Sequence, residues 1–396
     1  MALAKRTAQI SSSLTLAITA MAKKMKAEGI DVIGFGAGEP DFNTPEYIID
    51  AAKEALDKGF TKYTPSGGMP QLKEAICQKF LNDNNLKYSP SQIVVSNGAK
   101  HSLYNAMLAI VDPGDEVIIP APYWLTYTEL VKLCDGAPVI VDTKDDGFKL
   151  TPEKLQKAIT QKTKAVIINS PSNPSGIVYT KQELWALAEV IEKTDIYVIS
   201  DEIYENIIYD GLKHYSIASC SPKLYKQTIV INGVSKTYSM TGWRIGYLGA
   251  DQEIAQAIDK IQSHSTSNAS SISQYAAAAA LNAKTEFLSQ MVKTFDERRK
   301  MILDFISKCP YLSCPEPKGA FYVMVDVSKT FGKSIDGQII DSAHKAAELL
   351  LRYAQIAVVP CEAFGAPEHI RLSYAASKED IQRGLQRLKE FLEKLK

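Results

Sequence analysis

The residue types and spacing in the segment 232–246 suit covalent chemistry on an aldehyde. Lys236 supplies a primary amine, Ser235 a hydroxyl and Arg244 a guanidinium, and the segment follows an apolar, β-branched run. An amine forms a Schiff base with an aldehyde, and a fixed guanidinium binds phosphate. Pyridoxal 5'-phosphate (PLP) needs this set of groups. Because a lone lysine after a strand is usually a solvated surface residue, the interpretation depends on the neighbouring motifs.

A second motif places a carboxylate at the carboxyl end of another apolar run. Asp201 ends the run that begins near Tyr197, and Tyr204 follows three residues later. A buried carboxylate needs a cationic partner, and a protonated pyridine nitrogen supplies one while the ion pair strengthens the ring as an electron sink. Tyr204 is suited to donate a hydrogen bond to the phenolate oxygen of PLP. Two alternatives stay open: the aspartate could cap the next helix, and the tyrosine could belong to the core.

Two turns that also follow apolar runs add polar groups. Prolines and a glycine around Asn173 fix a turn that could hold the Asn173 amide toward the same site. The amide would be a second donor to the phenolate oxygen. The alternative is that this Asn-Pro pair is only a turn. At 96–100 a glycine turn leads into a helix whose free N–H groups favour a phosphate. Gly98, Ala99 and Lys100 are therefore predicted to share the anion.

The elements that must position these residues alternate along the chain. Apolar runs predict strands at 93–96, 116–119, 138–141, 165–169, 196–200 and 228–231. Segments with a helical period between them predict helices at 98–111, 152–159 and 181–192. Strict alternation indicates an α/β fold in which helices cover both faces of a mostly parallel sheet. Ligands bind such sheets near the carboxyl ends of the strands, where the candidate residues lie.

The pattern changes near Thr285. A long amphipathic stretch at 285–308 leads to a strand at 320–327, a helix at 337–353, a strand at 369–374 and a last helix from Lys378, as in a smaller α+β domain. The helix at 14–28 and the strand at 31–35 are expected to pack with it. We therefore expect a large PLP-binding domain at 45–284, and a small domain made of 1–44 and 285–396.

The composition of the 396 residues argues against several classes of partner. Lys and Arg number 45, as do Asp and Glu, so no net charge would steer the protein to nucleic acid or a membrane surface. We find neither a signal-peptide apolar region nor an apolar run long enough to span a membrane. The six cysteines lack zinc or disulfide spacing. These features predict a cytoplasmic protein with a small-molecule substrate and no metal.

The motifs together, at these spacings, carry a family resemblance over essentially the whole length. Its segments are 36–42, 63–70, 120–124, 173–176, 201–204, 232–246 and 370–374. The chain resembles the fold-type I PLP enzymes, and within them the class I aminotransferases, most closely the prokaryotic-type aspartate aminotransferases. The resemblance implies a seven-stranded, mostly parallel sheet flanked by helices. It also implies ping-pong transfer of an amino group between amino acids and 2-oxo acids, with Lys236 moving the proton at Cα.

The resemblance also implies roles for residues that the pattern alone leaves unassigned. Trp124 would stack on the pyridine ring, although it could instead be a buried structural tryptophan. Tyr63 would reach the phosphate of the neighbouring subunit, so the active unit would be a homodimer with shared sites. Arg371 would clamp the substrate α-carboxylate through parallel hydrogen bonds, and the Gly38 backbone and the Asn173 amide would contact the same end of the substrate.

Substrate choice follows from the same resemblance. Lys100 would bind the distal carboxylate of a dicarboxylic substrate, with Ser13 and Thr15 nearby, which favours aspartate, glutamate and 2-oxoglutarate. Lys100 could instead be a surface residue of its helix. Aromatic amino acids or prephenate are alternative substrates, and a PLP lyase would share every cofactor residue. The chain departs from many relatives at Gly233, where they have serine, which makes Ser235 more important, and at Cys361, where they have glycine and where we expect a structural thiol.

Overall fold

The structure is a computed structural model that describes residues 3–10, 14–283 and 285–396, without the side chains of 5, 6 and 14–19. Its strands are β1 Ile33–Gly34, β2 Ile93–Ser96, β3 Glu116–Ala121, β4 Ala137–Asp142, β5 Thr163–Asn169, β6 Tyr197–Asp201, β7 Thr228–Gly233, β8 Gly246–Gly249, β9 Tyr322–Asp326, β10 Ser334–Ile335, β11 Gln338–Ile339, β12 Ile356–Ala357, β13 Val359–Pro360 and β14 His369–Ser373. Its α-helices are α1 Leu14–Ala27, α2 Glu46–Asp57, α3 Pro70–Asn84, α4 Ala99–Ile110, α5 Thr126–Leu133, α6 Pro152–Ala158, α7 Lys181–Ile191, α8 Pro222–Gln227, α9 Gln252–Ser265, α10 Ser271–Asn282, α11 Phe287–Ser307, α12 Ala343–Ala354 and α13 Lys378–Glu393.

The central sheet has seven strands in the order β2-β8-β7-β6-β5-β3-β4. Its pairs are parallel except where β8 joins β2 and β7. The predicted mostly parallel, seven-stranded sheet of fold type I is therefore confirmed. The strand β8 begins at Gly246, the last residue of the segment 232–246, and lies between β2 and β7.

Burial on both faces explains the apolar runs of the central strands. Ile167, Ile199 and Ile229 lie side by side in register and face one core, whereas Val166 and Val198 face the core on the other side of the sheet. All five side chains are buried. Because successive residues of a strand point to opposite faces, a strand covered on both sides needs an unbroken apolar run. This requirement leaves the strand ends as the places for polar residues.

A second group of strands lies apart from the central sheet. Strand β14 pairs antiparallel with β13 and β9, and β1 from the N-terminal part pairs in parallel with β12. The prediction of one helix at 337–353 was wrong in its first part. Asp336 and Gly337, both at positive φ, form the turn of a β10–β11 hairpin, and the helix begins only at Ala343.

A buried polar network ties the ends of β6 and β7 together. Glu205 forms an ion pair with Lys79 and accepts a hydrogen bond from Asn232 Nδ2 at 2.8 Å. Glu202 Oε2 lies 2.9 Å from Nε2 of His214. Burial lowers the pKa of His214, but the two carboxylates outweigh it, and the net effect is a raised pKa. The two carboxylates thus meet the Lys79 ammonium and a histidine whose pKa is raised, and removing one member of a buried ion pair such as Lys79–Glu205 costs about 3–5 kcal/mol.

No helix among the described residues is long and apolar enough to cross a membrane.

Candidate active site

A cavity of about 690 Å³ opens at the carboxyl ends of β5, β6 and β7. It brings together most of the residues that the sequence predicted, namely Gly38, Ala99, Lys100, Trp124, Asn173, Asp201, Tyr204, Ser235, Lys236, Arg244 and Arg371. Gly98 adjoins the cavity through its contact with Arg244. Tyr63 lies outside it, with 91% of its surface exposed. Ser13 and the side chain of Thr15 lie outside the described residues.

Lys236 extends its amine into this cavity from the turn after β7. Its Nζ donates a hydrogen bond to the carbonyl of Gly38 and lies 5.9 Å from the ring centroid of Tyr204. Burial lowers the pKa of Lys236 to about 8, because the nearby Glu39 carboxylate only partly opposes the effects of burial and of the Arg244 and Arg371 charges. A substantial fraction of Lys236 is therefore neutral near physiological pH, the form that attacks an aldehyde.

Asp201 is held at the end of β6 by neutral donors. Tyr127 Oη donates to its Oδ2 at 2.6 Å, and the backbone N–H of Ile203 donates to its Oδ1 at 3.2 Å. Burial raises the pKa of Asp201 to about 6, although the hydrogen bond from Tyr127 opposes the rise. A carboxylate in such a place is stabilised by a cation that a ligand brings, such as a protonated ring nitrogen.

The phosphate end of the predicted site is built from the start of α4 and the segment before β8. Gly98 has φ +87°, and a Cβ there would lie 2.2 Å from Nη2 of Arg244. Arg244 itself is in the left-handed region and donates from Nη1 to the Thr241 carbonyl at 2.8 Å. A helix N-terminus next to a guanidinium forms an anion site, since both supply N–H donors and positive potential. Ser235 lies buried at the same cavity.

Trp124 and Lys100 form one wall. The Nζ of Lys100 lies 4.8 Å from a ring centroid of Trp124, within the range of a cation–π interaction. Trp124 meets Tyr127 edge to face, with the ring centroids 5.6 Å apart. Burial, and then the charge of Arg244, lowers the pKa of Lys100. Lys100 thus lines the cavity while part of its side chain stays exposed to solvent.

Arg371 and Asn173 form another part of the cavity lining. Arg371 donates from Nη1 to Asn173 Oδ1 at 2.9 Å and from Nη2 to the Gly36 carbonyl at 3.1 Å. Its Nε is buried and has no hydrogen-bond partner among the described residues. Because Asn173 Oδ1 accepts from Arg371, its Nδ2 is the atom left to donate to a ligand. A buried arginine with an unsatisfied donor fits a carboxylate ligand.

Several residues of the site were missed by the sequence prediction. Tyr127 bonds to Asp201, and Asn169 donates to the Asp201 carbonyl and accepts from the Asn173 N–H. Tyr322 also lines the cavity, and Glu39 accepts from Thr241 Oγ1 at 2.7 Å. Glu39 adjoins Gly38 inside the segment 36–42, so a signal was present, whereas Tyr127 and Tyr322 carry no local signal.

The two departures from the family pattern have structural explanations. A Cβ at Gly233 would lie 3.0 Å from the Ile245 carbonyl and 3.2 Å from Ile203 Cδ1, so this strand end is closely packed. The thiol of Cys361 is fully buried and points to the Val359 carbonyl at 3.7 Å. Burial raises the pKa of this thiol, so it stays protonated. These contacts agree with the predicted structural thiol.

The residues present fit PLP. The Lys236 amine, whose pKa is lowered, suits the aldehyde of PLP. The Asp201 carboxylate is buried and has no cationic hydrogen-bond donor, so it suits the pyridine nitrogen. The helix N-terminus beside the Arg244 guanidinium suits the phosphate. These groups adjoin one cavity, which the aromatic side chains of Trp124, Tyr127, Tyr204 and Tyr322 also line. PLP alone therefore supplies a partner for each of these three features.

Comparison with known proteins identifies the class. The family model "Aminotransferase class I and II" matches residues 30–388, so the chain belongs to this family and is a PLP-dependent aminotransferase. It is 51% identical to the aspartate aminotransferase of Bacillus subtilis, with 100% of both chains covered, and 47% identical to the aspartate/prephenate aminotransferase of Cereibacter sphaeroides, with 97% of both covered. The solved aspartate aminotransferase of Rhizobium meliloti matches at a TM-score of 0.97 and 42% identity, covering 100% of both chains. The family resemblance inferred from the motifs is thus confirmed.

The contact between Gly98 and Arg244 predicts the effect of one methyl group. Gly98→Ala should displace the Arg244 guanidinium and weaken PLP binding about 10- to 100-fold, the loss of a hydrogen bond to a charged group. The dissociation constant is measured by titrating apoenzyme with PLP. Gly114→Ala is the matched control, because Gly114 also has positive φ, +89°, but nothing lies within 4 Å of the added Cβ. Equal effects of both substitutions would contradict the prediction.

The lowered pKa of Lys236 predicts a pH dependence. Only the neutral amine attacks an aldehyde, so the rate at which apoenzyme incorporates PLP should rise with pH and level off above a midpoint of about 8, compared with 10.5 for an ordinary lysine. The rate is followed by the growth of the visible absorption band after mixing at a series of pH values. A midpoint near 10 would show that the cavity does not lower the pKa of this amine.

Proposed function

We propose that the protein transfers the amino group of L-aspartate to 2-oxoglutarate. The observation that carries the proposal is that the cavity lining includes Lys100, beside Trp124, and Arg371, beside Asn173, in addition to Lys236 and Arg244, which the cofactor would use. A dicarboxylic amino acid or oxo acid carries two carboxylates, and each would meet one cation. The names of the relatives from Bacillus subtilis and Rhizobium meliloti support the same substrate.

The cofactor roles of individual residues belong to this proposal. Lys236 would hold PLP covalently, and Asp201 would pair with its ring nitrogen. Tyr204 and Asn173 would donate to the phenolate oxygen, and Trp124 would stack on the ring. The phosphate would bind to the side chains of Ser235 and Arg244 and to the backbone N–H groups of Gly98, Ala99 and Lys100, so the Lys100 ammonium stays available for substrate. The burial of Asp201 supports its assignment, because a buried carboxylate is costly without a cationic partner. At Gly98 the absence of a Cβ lets the Arg244 guanidinium lie against the start of α4, which supports a shared phosphate site.

Bound PLP supplies an electron sink for the negative charge that develops at the substrate Cα. The chain's own part is to move the proton. Lys236 Nζ, with a pKa of about 8, can take a proton from Cα and return it to a neighbouring carbon as a general base and acid. Arg371 and Asn173 would fix the α-carboxylate so that the Cα–H bond faces this amine, because two hydrogen bonds to one carboxylate leave it little rotational freedom.

We also propose that the active unit is a homodimer. Tyr63 is the most exposed large side chain of its segment and lies away from the cavity of its own chain, as expected for a residue that reaches the phosphate in a partner subunit. Leu56 and Phe60, close to it in sequence, are also exposed. A solution mass of a single chain at working concentration would contradict the shared site.

The division of the chain and its cellular location are part of the same proposal. Residues 45–284 would form the large domain, since they contain the whole central sheet, and 1–44 and 285–396 the small one, which the pairing of β1 with β12 supports. The cytoplasm is the proposed compartment, because the spacing of the cysteines suits reduced thiols.

A second substrate is supported by one observation. The relative from Cereibacter sphaeroides is named for both aspartate and prephenate. Prephenate also carries two carboxylates, so it would use the same two cations, with its ring placed against Trp124. We therefore include prephenate among the amino acceptors that the experiment compares.

The test is the half-reaction with one substrate at a time. L-aspartate alone should bleach the visible band of the PLP-loaded protein, and 2-oxoglutarate should restore it. Lys100→Ala should raise the KM for L-aspartate about 10- to 100-fold, the loss of one charged hydrogen bond, and leave the KM for L-alanine within about twofold, because alanine has no distal carboxylate.

Three results would separate the alternatives. An unchanged KM for L-aspartate in Lys100→Ala would contradict the role of Lys100. A band that prephenate restores faster than 2-oxoglutarate would favour the second acceptor. Release of ammonia without a new amino acid would identify a lyase in place of an aminotransferase.

A further inference from the structure

Tyr322 contacts both Tyr204 and Arg371, and it lies outside the sequence segments 201–204 and 370–374 that contain them. It is the first residue of β9, is 1% exposed and lines the cavity. Its Oη lies 2.9 Å from Oη of Tyr204, and its ring lies below the guanidinium of Arg371. One side chain thus contacts the residue proposed for the cofactor oxygen and the residue proposed for the substrate carboxylate.

The contact with Arg371 follows from strand pairing. In the β9–β14 ladder Tyr322 is opposite Ser373 and Met324 is opposite Arg371, so Tyr322 and Arg371 are diagonal neighbours on one face. The carbon Cζ of Arg371 lies 4.4 Å from the ring centroid of Tyr322. At this distance a desolvated cation–π interaction is worth about 2 kcal/mol, which holds the guanidinium in place while its N–H groups point elsewhere.

The contact with Tyr204 has a defined direction of donation. If Tyr204 donates its proton to the cofactor oxygen, its own oxygen must accept, so the donor in the 2.9 Å contact is Tyr322. A donor that is itself an acceptor becomes a stronger donor, because hydrogen bonds in a chain polarise one another. The hydroxyl of Tyr322 also faces Gly38, where an added Cβ would lie 3.7 Å away, so the hydroxyl is confined on that side.

We propose that Tyr322 is a positioning residue with two separable functions. Its hydroxyl orients and polarises Tyr204, and its ring holds Arg371 for the α-carboxylate. The second function rests on the proposed function, since it needs Arg371 to bind substrate, whereas the first needs only bound PLP. Two substitutions separate them: Tyr322→Phe removes the hydroxyl and keeps the ring, and Tyr322→Leu removes both.

The first readout uses no substrate. The pH midpoint of the visible band of the PLP-loaded protein reports how well the cofactor oxygen is stabilised as an anion. Tyr322→Phe should raise this midpoint by about half a pH unit, because a weakened hydrogen bond from Tyr204 stabilises the anion less. A midpoint within about 0.1 pH unit of the unsubstituted protein would overturn the role of the hydroxyl.

The second readout is the KM for each dicarboxylic substrate. Tyr322→Phe should leave the KM for L-aspartate and 2-oxoglutarate within about twofold, whereas Tyr322→Leu should raise both about 10- to 30-fold, which corresponds to the cation–π interaction that is lost. Equal KM values for the two variants would overturn the role of the ring. If the unsubstituted protein shows no half-reaction with L-aspartate, the proposed function fails, while the midpoint still tests the hydroxyl.

Tyr374→Phe is the matched control. Tyr374 is also fully buried and donates from Oη to the Ala320 carbonyl at 3.2 Å, but it is not among the cavity-lining residues. Its loss of a hydroxyl should change neither the pH midpoint nor the KM. If Tyr374→Phe moves the midpoint as much as Tyr322→Phe does, general loosening of the core explains both changes and the proposal is wrong. Should Tyr322→Leu not fold, Tyr322→Met, which also removes the ring, replaces it.

Discussion

Burying a carboxylate and an amine at the ends of neighbouring strands costs free energy that the rest of the fold must offset. Asp201 ends β6 beside Ile231 of β7, and Lys236 lies in the turn that follows β7. Burial raises the pKa of Asp201 to about 6 and lowers that of Lys236 to about 8. Each group is thereby less stable in its charged form than on a surface, and a ligand with a ring cation and an aldehyde can use both.

The architecture offsets this cost in two ways. The central strands are apolar on both faces, so the polar residues are confined to strand ends that the hydrogen-bond register places side by side. Beyond these ends, the ion network of Lys79, Glu202, Glu205 and His214 fixes the chain that follows Asp201, and Asn232 connects it to the end of β7. The positions of Asp201 and Lys236 are therefore set by contacts that need no ligand, which is the requirement for a preorganised site.

Local sequence patterns were sufficient to predict the elements that carry a strong signal. The unbroken apolar runs of β5, β6 and β7 gave the correct strands, and the residues that follow them form the cavity. The strand β8 was not recognised because it is four residues long and has glycine at both ends. The hairpin before α12 was assigned to the helix although Asp336 and Gly337 carry a turn signal that period counting overlooked.

Contacts between distant parts of the chain account for what the sequence could not predict. Tyr127 reaches Asp201 across 74 positions, and Tyr322 reaches Tyr204 across 118. Neither tyrosine lies in a motif with a recognisable spacing. The packing of α5 against the central sheet, and of β9 against the segment after β6, decides which partner each hydroxyl approaches. Local periodicity contains no information on this packing.

The most direct test of the account asks which atom of the chain binds PLP. Sodium borohydride reduces a carbon–nitrogen double bond between an aldehyde and an amine to a stable single bond, so the attached residue can be identified by digestion and mass spectrometry. We predict one phosphopyridoxyl group per chain, on Lys236, and none after Lys236→Ala. A modification on Lys100 or another lysine, with Lys236 unmodified, would contradict the central claim.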